Sequence, residues 1–122
     1  MKQLLSFIIL TTQLYSNSAY SQPLCEINNY LKSAMISEVA KNYYKGEFRA
    51  SDDDSTIGII DSINTTNHFT RPFYLLLVSK IMVHSDGALS EVLSLSCKDF
   101  FEKHPDYLIE FLYGNHNLIQ KE

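Results

Sequence analysis

Four histidines, two cysteines and a run of three aspartates are the residue types in this 122-residue chain that most readily do chemistry. His68, His84, His104 and His116 fall near the ends of expected helices or in connections. No two stand four residues apart, so no helix carries an i, i+4 pair suited to a metal. Asp52, Asp53 and Asp54 could attract calcium, but the EF-hand loop does not fit. Counted from Asp52, its glycine position holds Ile57 and its bidentate acid position holds Ile63. There is no G-x-S-x-G elbow, no phosphate-cradling glycine loop and no H-E-x-x-H. Glu91, Asp99, Glu102 and Glu110 supply carboxylates on the last two expected helices. A buried Glu91 could serve as the acid of glycan hydrolysis, but Asp99 lies about 12 Å further along the axis, beyond the reach of a working pair. The expectation is therefore no catalytic residue, no metal and no cofactor.

Cys25 and Cys97 raise a different chemistry, and the N-terminus decides which. Lys2 precedes an apolar run from Leu4 to Leu10, and small residues follow at Ala19 and Ser21. This three-part layout is that of a secretory signal peptide over residues 1–21, cut after Ser21. The apolar run is far short of the roughly 20 residues that span a bilayer, so no stable membrane insertion is expected after cleavage. Leu24, immediately before Cys25, argues against lipid attachment, which needs small residues there. Two cysteines in an exported domain of this size read as one disulfide, Cys25–Cys97. Its loop is long enough for the chain-entropy model to give it about 4 kcal/mol.

Removing the signal takes away Lys2 and no acid, which moves the formal net charge from −4 to −5. Nucleic acid demands clustered Lys and Arg, so the acidic balance excludes it as the natural partner. A basic protein surface suits it better.

The elements that must position these residues are helical. Ile27, Tyr30, Leu31, Ala34, Met35, Val39, Ala40 and Tyr43 recur at three and four, predicting one helix from Cys25 to Lys45, ended by Gly46. Residues 46–56 form a flexible polar connection whose aspartates can cap a helix over Ser55–Ile63, with Ile57, Ile60 and Ile63 inward. The β-rich "TIGII" makes a short strand the alternative there. Residues 73–83, apolar almost all round, predict a central helix with Pro72 in its first turn. A fourth helix starts after Ser85 or Asp86 and carries Cys97. A fifth begins at Pro105 and ends at Gly114, leaving residues 115–122 as a frayed tail.

The predicted fold is all-α: a small antiparallel helical bundle or stacked helical hairpins, about five helices and one disulfide, in a single domain over residues 22–122. The layout of the last three helices is that of one and a half α-solenoid units, without a sequence repeat behind it. Eight tyrosines and seven phenylalanines are more than a small core can hold deeply, which favours recognition of another protein at the surface. The expected contact surface is the connection after Gly46 with its neighbours: Tyr43, Tyr44 and Phe48 as anchors, Arg49, Asp52 and Asp53 as steering charges. Asn64-Thr65-Thr66 has the form of a glycosylation acceptor. The function expected is that of an exported, non-enzymatic protein-binding domain, of the inhibitor or immunity type against a secreted toxin or wall-degrading enzyme. An accessory module of an envelope complex is the alternative, and a small hydrolase or ligand carrier the third reading.

Overall fold

A computed structural model describes residues 27–119. The expected signal segment, the expected cut after Ser21, and Cys25 lie outside the described residues. Among the described residues the fold consists of six α-helices: α1 (Ile27–Lys32), α2 (Glu38–Lys45), α3 (Asp54–Asp61), α4 (Arg71–His84), α5 (Gly87–Lys103) and α6 (Pro105–Ile119). A 3-10 turn (Ser62–Asn64) extends α3, and no strand occurs among the described residues.

The expected first helix is two helices, and serine chemistry is the reason. Ser33 Oγ accepts from the Met35 N–H at 3.1 Å, and Ser37 Oγ accepts from the Ala40 N–H at 3.2 Å. Short hydroxyls thus give the backbone partners outside the helical ladder. Ser37 is extended and caps α2, while its own N–H donates to the Tyr74 hydroxyl at 3.2 Å. The break lets Ile36, only 2% exposed, turn into the core.

"TIGII" is helical, and the strand alternative falls. Asp53 caps α3 by accepting from the Thr56 N–H at 2.8 Å. The inward set is Ile59, Ile60 and Ile63, with Ile57 half-buried.

Helix α4 is the hub. Phe73, Tyr74, Leu75, Leu76, Leu77, Val78 and Ile81 are all buried. Helices α2, α3, α5 and α6 and the 3-10 turn all pack against it. Helix α1 reaches it through Tyr30, whose ring stacks on Phe73 at 5.2 Å. A helix apolar all round needs this enclosure.

Gly114 does not end α6, which runs on to Ile119. Phe111 and Asn115 are buried one turn apart and Ile119 is half-buried one turn further, so the inward stripe continues past the glycine. The Asn115 amide donates to the Phe111 carbonyl at 2.9 Å. A helical glycine costs about 1 kcal/mol against alanine, less than that stripe returns.

Arg71, at the start of α4, is buried as well. Its guanidinium lies 5.8 Å from the Phe100 ring centre and 5.9 Å from that of Tyr107, and one Nη donates to the Thr65 carbonyl.

Candidate functional site

Five of the six residues expected at a contact surface line one open cleft of about 1260 Å³: Tyr43, Tyr44, Phe48, Arg49 and Asp52. One wall is the end of α2 and the connection to α3. The opposite wall is the end of α4 and the corner after it, with Lys80, His84, Asp86 and Leu89. The end of α6 contributes Ile119.

Local chemistry fixes the first wall. Gly46 takes a left-handed conformation (φ 78°), and its N–H and that of Glu47 return to the last carbonyls of α2. Only glycine adopts this backbone without strain. At the other end the Ser51 N–H donates to Thr56 Oγ1 at 3.1 Å, and the Ser51 hydroxyl donates to Asp53. The connection expected to be flexible is therefore tied at both ends.

Asp53, the sixth residue, does not face the cleft. Its carboxylate is occupied in capping α3, and the hydrogen bonds from Ser51 and Thr56 hold it below the usual aspartate range.

The aromatic residues divide between packing and cleft. Tyr43, Tyr44 and Phe48 are half-buried and rest on the core, with Tyr44 5.8 Å from the Phe73 ring. Burial pushes the Tyr43 hydroxyl up from its ordinary value. Phe73 and Tyr74 are fully core. Of the remaining candidates, Phe69 and Tyr113 are exposed, but Phe69 lies against Tyr30 with ring centres 5.1 Å apart. The aromatic abundance is thus mostly packing, with three half-buried rings also lining the cleft.

The residues weighed for chemistry do not converge. His84 lines the cleft, His104 lies beside Phe100, His116 sits against the Tyr113 carbonyl, and His68 is exposed on a different connection. Asp99 pairs with Lys103 at 2.8 Å and Glu102 with Lys98 at 3.8 Å. Glu91 is exposed. Among the described residues no group of three or more His, Cys, Asp or Glu side chains could hold a metal ion, and no helix is long and apolar enough to cross a membrane. Asn64 of the glycosylation triplet is exposed at the end of the 3-10 turn.

Cys97 is half-buried on α5, and burial pushes its thiol above the ordinary value. A thiol raised in this way forms less thiolate at neutral pH than an ordinary one.

Sequence reasoning missed the far wall of the cleft. Lys80, His84 and Asp86 come from the end of α4 and its corner, more than 25 residues from the connection they face. Their spacing carries no signal, because only the packing of α2 on α4 brings the two segments together.

No family model, no curated protein and no solved structure matches this chain.

Proposed function

We propose that the protein is an exported, non-enzymatic binding domain that takes hold of another protein through the cleft beside Arg49 and Asp52. The single observation behind this reading is the joining of aromatic rings and charges of both signs on one tied-down concave wall. Aromatic anchors beside rim charges are the makeup of protein recognition sites. An inhibitor or immunity role against a secreted toxin or wall-degrading enzyme suits an acidic exported chain whose partner is basic. Two further elements belong to the proposal: cleavage after Ser21, and a Cys25–Cys97 disulfide that fastens the start of the mature chain to α5.

The test uses Arg49→Ala and Asp52→Asn, both at exposed positions that leave folding intact. A partner captured from the secreted or envelope fraction should be lost with Arg49→Ala and should associate more slowly, with weaker salt dependence, with Asp52→Asn. Capture that survives both changes overturns the cleft. Intact mass and non-reducing peptide mapping of the exported protein check the cut and the disulfide.

A second observation favours the accessory-module reading. Helices α5 and α6 leave Leu95, Phe101, Ile109, Leu112 and Tyr113 exposed. Loss of capture with Leu95→Ser and Ile109→Ser, but not with Arg49→Ala, would select that reading.

A further inference from the structure

A second cavity, of about 400 Å³, opens between the C-terminal half of α4 and helices α5 and α6. Leu75, Val78 and Met82 form its α4 side, Cys97 and Phe100 its α5 side, and Leu108 and Leu112 its α6 side, with Ile63 also reaching it. Its chemistry is the opposite of the cleft's. No charged side chain stands among the described walls. The one hydroxyl, that of Ser79, is spent on the Leu75 carbonyl of its own helix at 2.8 Å. Cys97 brings sulfur that is uncharged, whether as a thiol raised by burial or as a disulfide. Ser79 adds a small side chain to the wall beside Leu75, Val78 and Met82.

We infer that this cavity, which adjoins the charged cleft at Val83 and Ile119, is a binding site for a small, uncharged, apolar molecule. Apolar walls that open to water gain by being covered with apolar surface, and a charged ligand held against them would find nothing to compensate its lost hydration. The size bounds the guest: an apolar cavity of roughly 150 Å³ admits benzene, so this one suits a molecule of about ten to sixteen carbon atoms.

The probe is N-phenyl-1-naphthylamine, which is neutral at pH 7 and brightens in apolar surroundings, titrated into the full chain. Saturable binding at one molecule per chain, displaced by 1-decanol, is the expected result. Met82→Trp and Leu112→Trp fill the cavity from its partly exposed rim, where a larger ring is tolerated, and each should weaken binding at least tenfold with the helical circular dichroism unchanged. Leu95→Trp, at an exposed site outside the cavity, should leave it unaltered. Methyl shift mapping of the unsubstituted protein gives the same answer without relying on variants: changes centred on Val78, Leu108 and Leu112 support the site. Non-saturating binding, shifts centred on Leu95, or well-folded rim variants that bind as before would overturn it.

Discussion

The guanidinium of Arg71 sits 5.8 Å from the centre of the Phe100 ring, fastening the first residue of α4 to the last turns of α5. Tyr107 receives the same group from α6, so one side chain ties three helices. The arrangement is a cation–π contact in a buried place, where such contacts are strongest. Its Nε nonetheless has no hydrogen-bond partner. Arg71→Ala should lower stability by about 2–3 kcal/mol through lost packing and lost ring contact. Arg71→Lys should recover only part, since an ammonium lacks the planar fork that serves two rings and the Thr65 carbonyl together. Urea unfolding at neutral pH measures both; a lysine variant equal to the parent would mean that charge alone is being recognised.

Tyr74 and Ser37 together set where α2 begins. Tyr74→Phe leaves the Ser37 N–H without its acceptor and should cost about 1 kcal/mol. Ser37→Ala removes the cap on Ala40 and should cost about 0.5–2 kcal/mol. The two act on one helix start, so their costs should not add, and a double-mutant cycle on thermal unfolding should return a coupling of roughly 0.5 kcal/mol or more.

The acid side of the stability curve carries the mark of Asp53. An unfolded aspartate titrates near about 3.9, and the folded value lies lower because of the Ser51 and Thr56 hydrogen bonds. Its contribution is complete above the unfolded value and fades as the pH falls through the folded one. Asp53→Asn keeps an acceptor for the Thr56 N–H and removes the titration. The unfolding midpoint of that variant should fall less steeply than the parent's below about pH 4. A residual slope should persist, because Lys41 holds the Glu38 carboxyl low in the same way.

Two glycines should respond in opposite directions. Gly58 lies within α3 with open space where a Cβ would stand, so Gly58→Ala should stabilise by about 0.5–1 kcal/mol. Gly46 also has open space but a φ of +78°, so Gly46→Ala should destabilise by about 1 kcal/mol through backbone strain alone. Differential scanning calorimetry reads both as shifts of Tm.

Helix type and helix order were legible wherever one local signal dominated. Pro72 and Pro105 mark the first turns of α4 and α6, Gly46 ends α2, Asp53 starts α3, and the apolar surface of α4 announces a surrounded helix. Legibility failed where a local signal competed with a distant partner. The spacing from Ile27 to Tyr43 is helical throughout, yet Tyr74, 37 residues away, receives the Ser37 N–H and stabilises the break. Gly114 reads as a stop, yet the buried face at Phe111 and Asn115 carries α6 through it. The cleft was half legible: its aromatic and charged wall is contiguous in sequence, whereas Lys80 and His84 arrive only through the packing of α4. Phe48, expected as a contact anchor, also rests on the core, so its removal affects folding as well as contact.

The position of α4 governs how the molecule can come apart. Every other described helix touches it, and it makes no hydrophobic face of its own for solvent over Phe73–Val78. Stripping away any one neighbour leaves the hub partly bare, so the chain has no natural seam along which half of it could survive. The amide protons of Leu75, Leu76 and Leu77 should therefore trade with deuterium only when the whole domain opens, setting the upper limit of protection in the protein. Helix α1 rests on the hub with half-buried side chains and buries none fully, so its amides should exchange sooner than those of the leucines. The molecule thus keeps its slowest clock at its centre.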